Sequence, residues 1–369
     1  MIPVNEPVFG EEEKIFLGEC IDSGWISSEG PFVKRFESEM ALKTGRKYGI
    51  AVCNGSAALD TAVAALELRP GDEVILPTLT IISCAAAVVR AGAVPVLVDC
   101  DRDTWNMDVN QLEDKITART KAIMVVHIYG LPVDMDPVIK LAEKHGLKII
   151  EDAAEAIGQA YRGCPCGSFG DLSIFSFYPN KHVTTGEGGM VLTDKSALAD
   201  RCRALRNLCF QPQKRFVHEK LGWNYRMSNL QAAVGIAQLA RLDEMVMKKR
   251  EMGYRYLKNL AGLEGIQLPL EKTAYADNSY WVFGVVLEKQ VPFNAGGAML
   301  KLKRKGIGTR PFFWPMHEQP VFKGMGLFKG AHFPEAERLA RRGFYLPSGL
   351  SLSHEQIETV SSAVREMMT

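Results

Sequence analysis

Residues 120–152 decide the fold, and they read TKAIMVVHIYGLPVDMDPVIKLAEKHGLKIIED. Thr120–Val126 and Leu147–Asp152 are short apolar runs typical of buried strands, and Pro137–His145 between them has helical character. A strand, a helix and a second strand in this order predict two parallel strands, joined by a helix that covers one face of the sheet.

The same alternation continues on both sides of this stretch. The further predicted strands are 49–52, 73–77, 94–98, 172–177 and 190–193, and the further predicted helices are 55–68 and 83–91. Continuous Val/Ile runs separated by helices are typical of a mostly parallel sheet that is covered on both faces. The sequence therefore predicts an α/β fold.

The last third of the chain has a different pattern. A long helical pattern over residues 229–258 is followed by a strand over 280–286 and by helices over 293–305 and 354–368. At roughly 100–200 residues per domain, 369 residues suggest about two domains. We predict an N-terminal arm and large domain over residues 1–245, and a smaller C-terminal α/β domain over 246–369.

Composition excludes several classes of protein. Hydrophobic residues make up 47% of the chain, and 44 Lys and Arg balance 43 Asp and Glu to a net charge of +1. This balance argues against disorder and against a nucleic-acid partner, which usually requires a basic excess. No apolar run reaches the ~18 residues of a membrane span, so no membrane partner is expected.

The eight cysteines are scattered, which indicates reduced thiols and a cytoplasmic location. Cys164 and Cys166 form the only close pair. A metal site would need further ligands, and no second Cys pair or His pair lies at ligand spacing. The pair is therefore interpreted as part of a turn, and no metal is expected.

Three short segments could carry chemistry. In Asn54-Gly55-Ser56 a strand ends and a helix begins, and a helix start can bind an anion, although Ser56 could also be a simple helix cap. Asp152 ends a predicted strand and could hold a cationic ring nitrogen, while the small Ala154 beside it would let a flat ring approach. A role as helix cap is equally open for Asp152.

The third segment is the loop that follows Phe175-Ser176-Phe177 and carries Lys181. An amine at the end of an apolar strand can be desolvated, which lowers its pKa and makes it nucleophilic. Taken alone, Lys181 could be an ordinary surface lysine. Together, an anion site, a carboxylate and an amine meet the needs of pyridoxal phosphate (PLP).

These segments resemble the fold-type I PLP enzymes, whose fold is that of aspartate aminotransferase, and more closely the sugar-nucleotide aminotransferases of the DegT family. The resemblance covers nearly the whole chain. The segments that carry it are 24–30 (GWISSEG), 70–75 (PGDEVI), 126–130 (VHIYG), 151–156 (EDAAEA), 175–177 (FSF), 180–181 (NK), 185–189 (TGEGG), 224–227 (NYRM) and 310–317 (RPFFWPMH).

The resemblance implies roles for single residues. Lys181 would be the catalytic residue, because it would bind the cofactor's aldehyde and later move the substrate proton. Asp152 would pair with the pyridinium nitrogen. The phosphate would be held by Gly55, Ser56 and Ser176.

Further roles are implied around the cofactor. Ala154 and Glu155 would lie beside it. Asn224 would reach the cofactor phosphate of a neighbouring subunit, which implies a homodimer with shared active sites and leaves open whether dimers pair into tetramers. The expected contacts to the nucleotide sugar are Trp25, Ser27, Glu155, Arg310 and His317.

The resemblance also implies the reaction. L-Glutamate would donate its amino group through the pyridoxamine phosphate form of the cofactor to C-4 of GDP-4-keto-6-deoxy-D-mannose. The product would be GDP-perosamine, used in O-antigen biosynthesis. One alternative is the same transfer to a UDP-linked 4-keto or 3-keto sugar or to a keto-cyclitol. Another is a PLP-binding regulatory protein without turnover.

Two positions qualify the resemblance. Ile81 occupies a site where the family commonly has an aromatic residue that stacks on the pyridine ring, so Ile81 is expected to cover the ring by apolar contact alone. Lys181 argues against the related sugar 3-dehydratases, which have His at that position.

Overall fold

The computed structural model describes residues 1–211 and 213–368 of the chain. Its larger sheet has seven strands in the order β1-β9-β8-β5-β4-β2-β3. The strands between residues 48 and 193 are β1 (Tyr48–Val52), β2 (Glu73–Pro77), β3 (Val94–Val98), β4 (Thr120–Val126), β5 (Lys148–Asp152), β6 (Ala160–Tyr161), β7 (Cys164–Pro165), β8 (Leu172–Ser176) and β9 (Gly189–Thr193). The short strands β6 and β7 form a separate two-stranded sheet.

Six strands of the large sheet run in one direction, and β9 alone runs against them. The pairs β2–β3, β2–β4, β4–β5 and β5–β8 are parallel, whereas β9 is antiparallel to both β8 and β1. The predicted mostly parallel sheet is therefore confirmed. Because six strands share a direction, their carboxyl ends meet at one edge of the sheet.

Helices cover both faces of this sheet. The helices of this part are α1 (Glu11–Ser23), α2 (Pro31–Thr44), α3 (Gly55–Ala65), α4 (Ile82–Arg90), α5 (Met135–His145), α6 (Ser196–Arg206) and α7 (Asn229–Ala240). Alternation along the strands divides the core: Val74 and Met124 pack in the same cluster as α3 and α4, whereas Ile75 and Ile123 pack with α5. This two-sided burial explains why the strands read as continuous apolar runs.

The C-terminal part forms a second, four-stranded antiparallel sheet in the order β10-β11-β13-β12. Its elements are α8 (Leu242–Leu260), β10 (Ile266–Gln267), β11 (Phe283–Leu287), α9 (Ala295–Arg304), β12 (Arg310–Pro311), α10 (Pro320–Gly324), α11 (Pro334–Arg342), β13 (Gly343–Leu346) and α12 (His354–Met368). A separate apolar core joins α8, β11, α9 and α12, and it includes Tyr256, Phe283 and Val360.

Two predicted elements differ from the structure. The helix predicted over 229–258 is two helices, because the chain leaves helical geometry at Arg241, whose side chain bonds to Glu13 of α1. The strand predicted over 280–286 begins only at Phe283, because Tyr280 has a positive φ of 48°.

The predicted domain boundary at residue 245 falls within α8 and stays a prediction. The N-terminal arm was predicted to belong with the large domain. In the structure, Ile2 pairs with Ile307, and the carbonyl of Val4 accepts a hydrogen bond from the Ser348 amide, so the arm also contacts the C-terminal part. Residue 369, the last of the second predicted domain, lies outside the described residues.

Within residues 1–211 and 213–368, no helix combines the length and apolar character that crossing a membrane requires.

Candidate active site

A cavity of about 530 Å³ lies beyond the carboxyl edge of the large sheet. Parallel strands place their carboxyl ends together, and ligands of open parallel sheets bind at that edge. The predicted residues that line the cavity are Gly55, Ser56, Ile81, Asp152, Ala154, Glu155, Ser176, Lys181 and Arg310. The structure thus brings together nine of the predicted residues, which come from five separate segments of the chain.

Lys181 lies in the loop after β8, where its backbone N–H donates to the Tyr178 carbonyl over 2.9 Å. The side chain is 10% exposed, and its Nζ is 3.7 Å from Oε1 of Glu155. Burial lowers the pKa of Lys181, while the charges of Glu155 and Asp152 act in the opposite direction. The amine is therefore enclosed, close to a carboxylate, and easier to deprotonate than a surface lysine.

Glu155 is buried and accepts a hydrogen bond from the backbone N–H of Tyr129 over 2.9 Å. Burial raises the pKa of Glu155, while the nearby ammonium of Lys181 opposes that rise. The pKa of Glu155 is raised while that of Lys181 is lowered, so the two groups differ less in acidity than they would in water, and a proton can pass between them.

Asp152 ends β5 and is buried. Its carboxylate accepts hydrogen bonds from the Ala154 amide over 3.0 Å and from the Cys84 thiol over 3.3 Å. Burial nevertheless raises its pKa. A cationic ring nitrogen beside Asp152 would stabilise the ionised form, so this carboxylate fits the pyridinium of PLP.

The start of α3 fits a phosphate group. The Asn54 side chain caps the helix by accepting from the Ala57 amide, and the first turn of a helix has further N–H groups without intrahelical partners. A side chain at Gly55 could not be accommodated, because its Cβ would lie 2.7 Å from Cβ of Ser176. Ser56 adds a hydroxyl, 2.6 Å from that of Ser83.

Ile81 precedes α4 and is 43% exposed, although it lines the cavity. Ala154 also lines the cavity, beyond the end of β5. Both side chains are apolar and line the cavity, so they could contact a flat ring without stacking on it.

Four predicted residues do not line the cavity of the chain that carries them. Trp25 is 50% exposed, and Ser27 and Asn224 are exposed as well. His317 is buried elsewhere, with Nδ1 2.8 Å from the Thr78 hydroxyl and Nε2 3.1 Å from Glu337. Both ring nitrogens of His317 are thus used within the fold.

Several residues that line the cavity were not predicted from the sequence. They are Asn54, Leu59, Thr80, Ser83, Val126, Ile174, Tyr178, Asn180, Glu187, Trp281, Phe313 and Tyr345. Phe313 could have been found, because it lies in the same segment as Arg310. Trp281 and Tyr345 gave no such signal, because their segments look like ordinary buried strands.

Cys166 was interpreted as an incidental thiol of a turn, and the structure places it beside His127 and Glu151. Their potential ligand atoms lie within 4.8 Å of one another. His127 and Glu151 are bonded to each other over 2.9 Å, so these groups are already engaged. The sequence could not predict this cluster, because its members come from three separate segments.

Comparisons with known proteins identify the family of the chain. The DegT/DnrJ/EryC1/StrS aminotransferase family matches residues 7–365. The chain is 41% identical to the GDP-perosamine synthase of Escherichia coli O157:H7, over 99% of this chain and 98% of that protein. It is 39% identical to the GDP-perosamine synthase of Vibrio cholerae, over the same shares of the two chains.

Two further relatives widen the comparison. The UDP-N-acetyl-3-dehydro-alpha-D-glucosamine 3-aminotransferase of Acidithiobacillus ferrooxidans is 38% identical, over 95% of this chain and 92% of that protein. The PLP form of the putative sugar aminotransferase Spr1654 from Streptococcus pneumoniae superposes with a TM-score of 0.92 at 26% identity, over 100% of this chain and 99% of that one.

Fold and site together define a PLP-dependent sugar aminotransferase. The chain belongs to the DegT/DnrJ/EryC1/StrS aminotransferase family. The family resemblance, the aspartate-aminotransferase-like fold, the enzyme class and the PLP cofactor predicted from the sequence are thereby confirmed. Its substrates are therefore an amino donor and a keto-sugar.

Proposed function

We propose that this enzyme transfers the amino group of L-glutamate to C-4 of GDP-4-keto-6-deoxy-D-mannose and releases 2-oxoglutarate and GDP-perosamine. The observation that carries the proposal is the full-length similarity, at 39–41% identity, to GDP-perosamine synthases of E. coli and V. cholerae. A buried lysine and a buried aspartate in one cavity supply the groups that such a transfer needs.

In this proposal, the residues of the cavity have the following roles. PLP, when bound, withdraws electrons and so makes the Cα proton of an amino acid acidic. Lys181 binds the aldehyde and then moves that proton, as a general base and acid. Glu155 stands 3.7 Å away and can exchange a proton with the amine. Asp152 keeps the ring nitrogen protonated.

The sugar nucleotide is proposed to enter from the C-terminal side of the cavity. Arg310 of β12 lines the cavity and is exposed, so its guanidinium is available to a diphosphate. The phosphate of the cofactor is assigned to Gly55, Ser56 and Ser176. With the predicted boundary near residue 245, these two halves of the site would belong to separate domains.

We also propose a homodimer with shared active sites. Trp25 is half exposed although it is large and apolar, and its neighbour Ile26 is 49% exposed. Ser27 and Asn224 are exposed on the same chain. A second copy that covers these residues would bring them to its own cavity. A cytoplasmic location agrees with eight free thiols, most of them buried.

Product identification tests the substrate. Purified enzyme is incubated with L-glutamate and one keto-sugar at a time. The three keto-sugars are GDP-4-keto-6-deoxymannose, a UDP-linked 4-keto-6-deoxy sugar and a UDP-linked 3-keto sugar. We expect the GDP sugar to be preferred by about 100-fold in kcat/KM, with ping-pong kinetics, since a base-specific pocket leaves its polar groups unpaired with the wrong base. Mass spectrometry of the amino sugar and release of 2-oxoglutarate are the measurements.

The outcomes test the sugar substrate and the amino donor separately. Preference for a UDP sugar would replace the GDP assignment with the alternative that the A. ferrooxidans relative favours. Failure of glutamate to convert the cofactor in the absence of any sugar would count against the donor. Omission of glutamate from an otherwise complete reaction is the control.

A further inference from the structure

Trp281 has no role in the proposed reaction, yet its indole covers the amine of Lys181. The ring centroid lies 3.9 Å from Nζ of Lys181. The residue is 3% exposed and lines the cavity from the loop that precedes β11. Tyr280, directly before it, has a positive φ of 48°, so the chain turns sharply where the indole enters the site.

Two contacts hold the indole and a third holds its backbone. The indole Nε1 donates to the carbonyl of Asn180, the residue before Lys181, over 2.9 Å. The Tyr129 ring is stacked with the indole, at 6.1 Å between centroids and 16° between planes. The buried Nζ of Lys249 donates to the backbone carbonyl of Trp281 over 2.9 Å. A ring that is held in this way can fix the group that it touches.

The amine therefore has two unlike neighbours. One is the Glu155 carboxylate, at 3.7 Å, which can accept a proton. The other is the face of Trp281, which attracts a cation through the negative potential of the ring but cannot accept the proton. The indole can thus hold the protonated amine in place without competing for its proton.

We propose that Trp281 is a positioning residue: its ring face holds the protonated nitrogen of Lys181 in one place, so that the amine, once it is free, meets the substrate proton in a constant geometry. The inference rests on the proposed function, because it takes Lys181 as the reacting amine. Trp281 acts through Lys181 and needs no contact with the sugar.

The test compares Trp281→Leu and Trp281→Phe as holoenzymes. Leu removes the ring face and Phe keeps a weaker one, while neither can donate to Asn180. We expect Trp281→Leu to slow the single-turnover reaction with glutamate about 10- to 100-fold, with KM for glutamate changed less than about threefold. Trp281→Phe should lie between Leu and wild type.

A second readout does not depend on turnover. The visible absorbance of the holoenzyme changes with pH as the nitrogen of Lys181 gains a proton, and loss of the ring face should move this change to lower pH by about one unit in Trp281→Leu. Trp105→Leu is the matched control, because Trp105 is equally buried and does not line the cavity. It should lower the unfolding temperature without moving the absorbance change.

The possible outcomes bear on the proposal as follows. The proposal is supported if the single-turnover rate and the pH of the absorbance change both decrease in the order wild type, Trp281→Phe, Trp281→Leu. The proposal is overturned if Trp281→Leu keeps the wild-type rate and the wild-type pH of the absorbance change. It is also overturned if Trp281→Phe changes both quantities as much as Trp281→Leu does. Should Trp281→Leu fail to fold, Trp281→Phe is compared with wild type and with Trp105→Leu. A slower single turnover and a lower pH of the absorbance change in Trp281→Phe alone support the proposal, whereas wild-type values of both overturn it. A wild-type enzyme that fails to react with glutamate would instead count against the proposed function.

Discussion

The two sheets of the molecule contribute to one cavity by different means. The large sheet supplies Asp152 and Ser176 at the ends of neighbouring strands, β5 and β8, and Lys181 in the loop that follows. The small sheet supplies Arg310 and Tyr345, which pair across β12 and β13. In the first case a shared strand direction gathers the residues, whereas in the second case the register of two antiparallel strands does.

The difference is visible within one segment of the C-terminal part. Arg310 and His317 are seven residues apart, and both were expected to contact the nucleotide sugar. Arg310 faces the cavity, whereas His317 is buried between Thr78 and Glu337. Nothing local distinguishes the two positions. A site residue on the large sheet can therefore be assigned from strand ends, but one on the small sheet cannot.

The largest expected effect lies on the large sheet. Lys181→Ala should reduce turnover by at least about 10³-fold, because it removes both the covalent attachment and the general base. The absorbance that comes from the Lys181-bound cofactor should vanish as well. Lys258→Ala, which removes an exposed lysine near the end of α8, is the control. Full activity in Lys181→Ala would end the assignment of this residue and of the cavity.

On the small-sheet side, we expect His317→Ala to act on stability. It removes one buried and one partly buried hydrogen bond and leaves the Thr78 hydroxyl without this partner, which should lower the free energy of unfolding by about 2–4 kcal/mol. The measurement is urea unfolding, with His354→Ala, an exposed histidine, as control. Unchanged stability combined with a tenfold or larger rise in KM for the sugar would restore His317 to the binding site.

The smallest effect concerns Lys249 of α8. Its Nζ donates to the carbonyls of Trp281 and Ser348, and burial lowers its pKa to about 7. The unfolded chain therefore binds one more proton between pH 7 and about 10.5, so the free energy of unfolding should rise with pH in this window.

From pH 7 to pH 9 this rise amounts to about 2 kcal/mol for one such group. Lys249→Met should lack it, while Lys258→Met should keep it. Urea midpoints of the three proteins at both pH values are the measurement. An equal rise in Lys249→Met and wild type would mean that Lys249 stays charged in the folded protein, held by its two carbonyl partners.

Much of the site could be predicted from the sequence, for a local reason. β2, β3 and β4 have the bounds that their apolar runs predict, and Asp152 follows directly from the end of one such run. The break at Arg241 could not be predicted, because the helical pattern continues through it and only the contact with Glu13 of a distant helix marks it. Trp281 was missed because its segment reads as a plain strand.

The sequence by itself determined the alternation of strands and helices, the family, and the lysine, aspartate and glycine-serine turn of the large sheet. These follow from short-range periodicity, and parallel strands then bring their ends together without further information. Only the tertiary structure decided which C-terminal side chains enter the cavity. That choice turned Trp281 toward Lys181 and His317 away, because it depends on hydrogen bonds and ring contacts between residues that lie about 100 to 240 positions apart in the chain.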